Sequence, residues 1–335
     1  MYGKSTTSTP AFDQVARRIG EADMIVLCTH VNPDGDGLGS MLALARAGRS
    51  AGKTVTPTVL GTVPRKYAFL FPDEDPADEH RFAQLATEAD LVVVLDTSAP
   101  EQLAPVLDTL RNSREKVVVV DHHAAGGDIG QAQWVDPTAA AAGLMVGELI
   151  QRLGWDIDAR TATHLSTAVL TDTGWLRFSN TDGRTLRAVA DWFDRGVSPD
   201  ELYDRLFQRD RVERLRLMAL AIDSLELFCR SRLAVMMLRA GDFAHAGASR
   251  DETENIINEA LRIETVEVAV MLVETPERIR VSLRSRGEVD VSTIAASMGG
   301  GGHARAAGLK ADGPIALVRD QLVRTCRKAL GCPKQ

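Results

Sequence analysis

The sequence predicts an α/β protein in which an N-terminal parallel-sheet, Rossmann-like domain is followed by a helical connector and a smaller C-terminal α+β domain. In the first half of the chain, short apolar runs alternate with segments of helical periodicity, which is typical of βαβ units around a parallel sheet. In the last third, the pattern becomes rich in strands. We therefore expect domains over residues 11–195 and 229–335, joined by helices over 196–228.

Four strands are predicted in the first domain. Each is a short strand-like run, and the valines before Asp121 show no polar alternation, which indicates a strand covered on both faces. The strands are expected at about 24–29, 54–60, 91–96 and 116–121. Helical periodicity predicts helices at 36–51, 79–88, 101–111, 138–153 and 159–171.

The remainder of the chain divides where the periodicity changes. Residues 181–227 have a helical pattern almost throughout. The second domain is expected to contain strands at 233–238, 265–273 and 279–283 and a helix at 252–262. In the connector, the apolar residues Leu215, Leu217 and Met218 fit either a contact between two copies of the chain or packing against a domain.

The composition is that of a globular protein, since 44% of the 335 residues are hydrophobic and 25% are charged. The sequence has no apolar run long enough to span a membrane, and we interpret the polar residues 1–10 as a frayed tail. The four cysteines include no Cys-x-x-Cys pair, so the sequence suggests neither a zinc site nor a disulfide framework. A cytoplasmic location without membrane attachment fits these features.

The formal net charge of −7 argues against a protein that coats long nucleic acids through a basic surface. An anionic substrate would then have to meet positive charge locally. Divalent cations are the expected source, because clustered carboxylates repel one another unless a metal ion or a proton lies between them.

Metal-competent side chains follow three of the predicted strands. The run Asp121, His122, His123 follows the fourth strand. His30 follows the first strand, and Asp96 follows the third. Because open α/β sheets bind their ligands at the carboxyl ends of the strands, the sequence predicts a site at this edge.

The loop after the first strand adds two acids, Asp34 and Asp36. Pro33 is expected to hold Asn32 in an extended conformation, and the glycines beside the acids let the backbone turn tightly. The two carboxylates can thus be directed at points a few ångströms apart, with Asp96 between them. Two metal ions about 3.5 to 4 Å apart would then stabilise the attacking and leaving oxygens of a phosphoryl transfer.

The types of ligand narrow the choice of ion. Carboxylates and imidazoles without a thiolate favour Mn²⁺ or Mg²⁺, and the mixture of oxygen and nitrogen favours Mn²⁺. Co²⁺ and Zn²⁺ are also compatible with histidine. Taken alone, Asp96 or Asp172 is more simply explained as a helix cap or turn residue, so the metal interpretation depends on the whole cluster.

In the second domain, four consecutive glycines at 299–302 precede His303 and Arg305. Such a run leaves N–H groups able to surround an anion, and a helix starting directly after it would add its positive end. A flexible linker is the alternative, although a linker is not expected inside a folded domain. Arg284 and Ser285, at the end of a strand, offer a second phosphate clamp or are simply solvated.

Together these motifs resemble the DHH phosphoesterase family. The motifs similar to those of the family, in order and spacing, are His30-x-Asn-Pro-Asp34-x-Asp36, Asp96, Asp121-His122-His123 and Asp172. The Gly-Gly-Gly-Gly-His303 segment resembles the hallmark of the DHH-associated C-terminal domain. The resemblance extends from residue 24 to about 310, and the two-domain length is similar to that of the bacterial NrnA-like enzymes.

The resemblance implies two divalent metal ions, with Mn²⁺ favoured and Mg²⁺ or Co²⁺ compatible. The implied ligands of the first ion are His30, Asp34 and Asp96, and those of the second are Asp36, Asp96, His122 and Asp172. The implied catalytic set is Asp96, Asp121, His122 and His123, in which Asp121 orients an imidazole and His123 faces the substrate phosphate. The implied substrate contacts are Asn32, His123, Arg284, Ser285, Gly300, Gly301, Gly302, His303 and Arg305.

The activity that the resemblance implies is hydrolysis of very short oligoribonucleotides, among them pApA and in some relatives cyclic di-AMP, and dephosphorylation of adenosine 3′,5′-bisphosphate (pAp). The first domain would be catalytic and the second would bind the substrate, without a stable complex with long nucleic acids.

A manganese-dependent pyrophosphatase is an alternative, but that family lacks a glycine loop with His303. A single-strand DNA exonuclease resembling RecJ would need a basic, aromatic-lined channel. A binding protein without turnover should lack a ligand, whereas every predicted ligand is present.

Overall fold

A computed structural model describes residues 9–124 and 126–332 of the chain. The chain folds into two compact units, Met1–Arg209 and Asp210–Gln335. Most of the predicted frayed tail, residues 1–8, lies outside the described residues.

The first unit contains six strands. They are β1 Met24–Cys28, β2 Thr54–Val59, β3 Ala77–Asp78, β4 Leu91–Leu95, β5 Val117–Asp121 and β6 Ala132–Val135. All pair in parallel in the order β3-β2-β1-β4-β5-β6. The predicted parallel sheet is therefore confirmed, and the predicted strands correspond to β1, β2, β4 and β5. The sequence missed β3 and β6, which are short edge strands without a long apolar run.

Eight α-helices are described in the first unit. They are α1 Pro10–Glu21, α2 Gly35–Ser50, α3 Glu79–Glu88, α4 Leu107–Asn112, α5 Ala142–Arg152, α6 Ala159–Asp172, α7 Gly183–Asp194 and α8 Pro199–Phe207. Helix α1 was not predicted, although Thr9 caps it by accepting a hydrogen bond from the Phe12 N–H and Pro10 occupies the first turn.

Two helix boundaries differ from the prediction for local reasons. The helix predicted at 101–111 is instead a 3₁₀ turn at Pro100–Leu103 and then α4, because Pro105 cannot donate a hydrogen bond within a helix. The helix predicted from residue 138 starts at Ala142. Before it, the Asp136 carboxylate accepts hydrogen bonds from both the N–H and the hydroxyl of Thr138, which holds a turn.

Helices α2 and α6 pack with almost no space between their backbones. A Cβ atom at Gly39 of α2 would lie 2.5 Å from the His164 carbonyl oxygen and 3.0 Å from the Cβ of Ala168 on α6. A Cβ at Gly35 would lie 2.4 Å from the Thr171 hydroxyl oxygen. Glycine thus permits the close approach of two helices that carry predicted site residues at their ends.

Burial affects the ionisation of His164, a residue of α6. The residue is 3% exposed, and its Nε2 lies 3.3 Å from the Leu70 carbonyl oxygen. Burial lowers the pKa of His164 to about 4, against the opposing effect of that hydrogen bond.

We expect His164 to make the protein less stable in mild acid. The folded-state pKa is below the unfolded value, so the neutral ring stabilises the fold fully above about pH 6.5, and this contribution is lost as the pH falls towards 4. The loss should approach roughly 3 kcal/mol. Urea unfolding of the protein and of His164→Gln between pH 7 and 4 measures it. Parallel pH dependences in the two proteins would show that His164 does not contribute.

The second unit is built on a mixed sheet of six strands. They are β7 Glu226–Phe228, β8 Leu233–Leu238, β9 Val268–Glu274, β10 Ile279–Ser285, β11 Gly301–His303 and β12 Ala306–Ala311. The order is β11-β12-β10-β9-β8-β7, in which β8 and β9 are parallel and the other pairs antiparallel. The helices are α9 Val212–Asp223, α10 Ala240–Ala246, α11 Val291–Ala296 and α12 Ile315–Ala329.

Two expectations for this unit are wrong. The predicted helix at 252–262 is two 3₁₀ segments, Arg250–Thr253 and Ile256–Arg262, separated by Asn255 with a φ of 62°. The residues after the glycine run form the β11–β12 hairpin instead of a helix. The reason is that Ala306–Ala311 pairs with β10 along its whole length, which takes its backbone into the sheet.

The predicted connector, residues 196–228, is shared between the two units. Helix α8 lies in the first unit, and α9 and β7 lie in the second. Leu217 of α9 is fully buried in the core of the second unit, and Met218 packs against the same core. Leu215 is 53% exposed.

Two cysteines form a disulfide, so the expectation that the sequence contains none is wrong. Cys229, at the end of β7, is bonded to Cys332, 103 residues later. The two Cα atoms lie 5.7 Å apart. Spacing along the sequence could not indicate this pair, because the fold of the second unit brings the two residues together.

Within the described residues, no helix is long and apolar enough to cross a membrane.

The tight packing of α2 against α6 can be tested with two matched glycine substitutions. Gly39→Ala should lower the free energy of unfolding by roughly 1–3 kcal/mol, because the backbone oxygen it meets cannot move aside without separating the helices. Gly241→Ala is the control, since a Cβ atom there would meet no heavy atom within 4 Å. It should be neutral or stabilise by up to about 1 kcal/mol. Equal urea midpoints for the two variants would contradict the packing argument.

Candidate functional site

The candidate site lies at the carboxyl edge of the parallel sheet. Strands β1 and β4 are neighbours there. The strand that follows each of them in the chain, β2 or β5, pairs on the outer flank, so the strand order reverses at this point, which is where ligands bind in open α/β folds. His30 follows β1, Asp96 follows β4, and His122 follows β5. The sheet order therefore brings the three predicted strand ends together.

The first group of candidate ligands is His30, Asp34 and Asp96, which offer atoms that all lie within 4.8 Å of one another. The Nε2 atom of His30 is 3.8 Å from Oδ1 of Asp34 and 3.4 Å from Oδ2 of Asp96. Asp34 also caps α2, because its Oδ1 accepts hydrogen bonds from the N–H groups of Asp36 and Gly37. This cap fixes the position of the acid at the start of the helix.

The second group is Asp36, His122 and Asp172, again with ligand atoms within 4.8 Å of one another. The Nε2 atom of His122 is 3.5 Å from Oδ2 of Asp36 and 3.8 Å from Oδ2 of Asp172. The Nδ1 atom of His122 lies 3.3 Å from the Ala139 carbonyl oxygen. That contact directs Nε2 towards the acids.

Asp96 lies between the two groups. Its Oδ2 is 3.4 Å from Nε2 of His30, and its Oδ1 is 3.4 Å from Nε2 of His122. Oδ1 is buried and receives no hydrogen bond of acceptable geometry from the part of the chain that the structure describes. The backbone of Asp96 has a φ of 63°, a left-handed conformation, and its N–H is held by the Val120 carbonyl. A buried carboxylate oxygen without a donor is what a site for a cation would contain.

Asp36 is fixed by the first turn of another helix. Its Oδ2 accepts a hydrogen bond of 2.7 Å from the Ala142 N–H, and its Oδ1 accepts one of 2.8 Å from the Gly143 N–H. These are the first two residues of α5, whose positive end faces the carboxylate. The sequence did not indicate this contact, because it joins segments more than 100 residues apart.

The protonation of the cluster reflects crowded negative charge. Burial, followed by the charge of Asp96, raises the pKa of Asp36 well above its usual value. Burial and the nearby carboxylates of Asp34 and Asp96 raise the pKa of Asp172 to about 6, although His122 opposes this. Burial disfavours a charged His122, but Asp96, Asp172 and Asp36 together raise its pKa to about 11. The cluster therefore attracts positive charge, and its oxygen and nitrogen donors fit divalent cations.

Asp121 does not belong to either group of three. It is fully buried; its Oδ2 accepts a hydrogen bond from the Ser98 hydroxyl, and its Oδ1 accepts from the N–H and Nδ1 of His123. The His123 ring is consequently held by a carboxylate that is itself held by Ser98. Ser98 was missed in the sequence, where a serine three residues after a strand carries no signal.

Asn32 departs from the expected conformation. Its φ is 55°, so the prediction of an extended backbone before Pro33 is wrong. Asparagine adopts the left-handed region more readily than other residues with a side chain, which explains how the turn forms without glycine. Asn32 is exposed on the loop between His30 and Asp34.

The predicted substrate residues of the second unit lie in the β11–β12 hairpin or beside it. Gly300 and Gly302 have close backbone neighbours, since a Cβ atom at Gly300 would lie 2.3 Å from the Gly308 oxygen, and Gly302 has a φ of 136°. Gly301 is exposed, with open space where its Cβ would be. The edge strand β11 thus presents the backbone of two glycines, followed by His303.

Three polar residues lie near this hairpin. A guanidinium nitrogen of Arg284 donates to the Leu283 carbonyl, and one of Arg305 donates to the Val289 carbonyl. Ser285 is 7% exposed, and its hydroxyl lies 2.7 Å from the Val289 oxygen and 3.2 Å from the Ala304 oxygen. The Ser285 hydroxyl therefore holds the loop together inside the second unit.

Comparison with known families gives two matches. The N-terminal domain of the DHH family matches residues 24–173, and the DHHA1 domain matches residues 231–330. Between them the two matches cover most of both compact units.

The chain is also similar to individual proteins over nearly its whole length. The chain is 35% identical over 309 residues to the bifunctional oligoribonuclease and PAP phosphatase NrnA of Thermus thermophilus, and the match covers 90% of each protein. An exopolyphosphatase-related protein from Bacteroides fragilis has a similar structure, with a TM-score of 0.89, 25% identity and 98% coverage of both chains. RecJ of Thermus thermophilus in complex with Mn²⁺ shares the fold, with a TM-score of 0.59 at 15% identity, and the match covers 99% of this chain and 56% of RecJ.

Proposed function

This chain belongs to the DHH family of metal-dependent phosphoester hydrolases, and from that premise we propose that it hydrolyses very short oligoribonucleotides to mononucleotides and removes phosphate from pAp. The observation that carries the proposal is the position of Asp96 between two groups of ligands. The activity named for the Thermus relative supports the substrate class, because the two chains match over nearly their whole lengths.

We assign the ligands of two divalent ions, with Mn²⁺ favoured. His30, Asp34 and Asp96 would hold the first ion, and Asp36, Asp96, His122 and Asp172 would hold the second. Bound ions would supply the positive charge that neutralises the scissile phosphate and lowers the pKa of the attacking water. The Asp36 carboxylate is held in position by hydrogen bonds from two N–H groups of α5.

His123 is assigned to the substrate phosphate. Burial opposes a charge on its ring, but the hydrogen bond to Asp121 and the charge of Asp96 raise the pKa of His123. Asp121 holds Nδ1 at 2.8 Å, which fixes the orientation of the ring. A protonated imidazole held in this way can donate a hydrogen bond to a phosphate oxygen.

In the second unit, we assign substrate contacts to the hairpin and its neighbours. The residues are Arg284, Gly300, Gly301, Gly302, His303 and Arg305, and in the first unit Asn32. The exposed glycine backbone of β11 and two guanidinium groups favour binding of an anionic chain end. Ser285 would support this loop from inside through its hydrogen bonds to Val289 and Ala304.

The other functions considered have less support. The structural match covers only 56% of the RecJ chain. The net charge of −7 also does not favour a processive exonuclease that acts on long strands. We also propose a cytoplasmic location, which suits the proposed substrates.

A substrate panel tests the proposed function. The purified protein is incubated with Mn²⁺ and, in parallel, with pApA, pAp, pyrophosphate and a long single-stranded DNA, and the products are separated by chromatography. We expect AMP from pApA, and AMP with phosphate from pAp. Phosphate from pyrophosphate alone, or degradation of the long DNA alone, would replace the proposal by one of its alternatives.

A further inference from the structure

The segment after Asp172 has an unusual backbone. Three consecutive residues, Gly174, Trp175 and Leu176, have φ values of 56°, 62° and 63°. A residue with a side chain rarely adopts this left-handed region, because its Cβ comes too close to the following carbonyl oxygen. The conformation is held by hydrogen bonds from the Trp175 N–H to the Leu170 carbonyl and from the Leu176 N–H to the Thr173 hydroxyl. Strain of this kind, next to a candidate metal ligand, calls for a functional reason.

The turn sends two aromatic side chains in different directions. Trp175 packs edge-on against Tyr203 and Phe207 of α8, with ring centroids 5.0 and 5.8 Å away. Phe178 instead remains 39% exposed. Its ring lies directly against Gly174, where a Cβ atom would come within 2.4 Å of the ring. Glycine at position 174 is therefore needed for the ring to lie where it does.

Arg177 is fixed beside the ring of Phe178. Its Nε donates a hydrogen bond of 2.8 Å to the Gly174 carbonyl, and its guanidinium carbon lies 5.9 Å from the centroid of the Phe178 ring. Both side chains are exposed. Aromatic rings and guanidinium planes are the groups on which proteins stack unpaired bases without selecting their sequence.

This pair lies beside the candidate metal ligands, within the same unit. Gly174 is two residues from Asp172, and the Asn180 side chain donates hydrogen bonds to the carbonyls of Asp172 and Ala140. The segment thus returns to the end of α6 and holds the exposed pair close to Asp172. The exposed pair therefore belongs to the segment that directly follows a candidate metal ligand and is tied back to that ligand's backbone.

We propose that Phe178 and Arg177 form a stacking pair that binds one nucleobase of a short oligoribonucleotide beside the scissile phosphate. This inference rests on the proposed function and adds to it a specificity-determining site in the first unit. Stacking on Phe178 would let bases of any identity bind, and it would favour a substrate with two nucleosides over a phosphate ester without a base.

The test compares Phe178→Ala, Phe178→Trp and Leu186→Ala with the unchanged protein. Leu186 is a matched control, because it is a large apolar side chain that is 51% exposed on α7 of the same unit. KM and kcat are measured with pApA and with its two analogues in which one adenine is replaced by hydrogen. We expect Phe178→Ala to raise KM for pApA about 5- to 100-fold, with kcat changed less than about threefold.

Two further results are expected from the same experiment. Phe178→Trp should restore the KM for pApA, and one of the two analogues should give the same KM with Phe178→Ala as with the unchanged protein. An unchanged KM for pApA in Phe178→Ala, or an equal rise with both analogues, would overturn the stacking pair while leaving the proposed function in place. Absence of pApA hydrolysis by the unchanged protein would instead refute the proposed function, and this inference with it.

Discussion

Asp96→Asn is expected to lower kcat for short oligoribonucleotides by on the order of a thousandfold or more, with little change in the folded structure. Asp96 approaches both groups of ligands, through different oxygens. The amide keeps the size of the carboxylate but removes its charge and offers only one oxygen, so it cannot bridge two cations. Asparagine also tolerates the left-handed φ of 63°, which alanine would adopt at a cost.

The control for this prediction is Asp156→Asn. Asp156 is an exposed acid in the same unit and lies outside the cluster, so its substitution should leave kcat unchanged. Circular dichroism and the thermal midpoint of both variants show whether the fold is retained. Near-normal turnover by a folded Asp96→Asn protein would overturn the assignment of Asp96 as a shared ligand.

Removal of divalent metal ions should abolish activity, and Mn²⁺ should restore it. Without cations, the buried acids of the cluster can be neutralised only by protons and imidazolium groups, as the raised pKa values of Asp36, Asp172 and His122 indicate. The measurement is turnover of pApA after treatment with a chelator, after its removal by dialysis, and after addition of Mn²⁺. Full activity in the presence of excess chelator would contradict a metal-dependent mechanism.

The same ions should stabilise the fold. A cation that binds only the folded protein adds about 2.7 kcal/mol for each site at one hundred times its Kd. The thermal midpoint should therefore rise when Mn²⁺ is added to the metal-free protein, and the rise should be much smaller for Asp96→Asn. Equal increases in both proteins would place the stabilising ion elsewhere on the chain.

The sequence was most informative where strands are long and end in polar residues. The apolar runs before His30, Asp96 and Asp121 predicted three adjacent strands of the parallel sheet, because uninterrupted burial leaves a clear pattern. Once those strands are parallel, their carboxyl ends must share one edge. The juxtaposition of the candidate ligands thus follows from local patterns and a general rule of sheet topology.

The parts that could not be predicted depend on contacts between distant segments. Three such contacts join residues that only the folded chain brings together. They are the hydrogen bonds from the first N–H groups of α5 to Asp36, the hydrogen bond from Ser98 to Asp121, and the disulfide between Cys229 and Cys332. The hairpin after the glycine run is of the same kind. Its second strand is fixed by pairing with β10, a separate segment of the chain, and the glycine run does not indicate this pairing.

The most direct test of the two-metal assignment is anomalous X-ray scattering from crystals grown with Mn²⁺. Two peaks are predicted per chain, one among His30, Asp34 and Asp96 and the other among Asp36, His122 and Asp172, with Asp96 in contact with both. A single peak, or peaks outside these residues, in an enzyme that hydrolyses pApA would contradict the assignment.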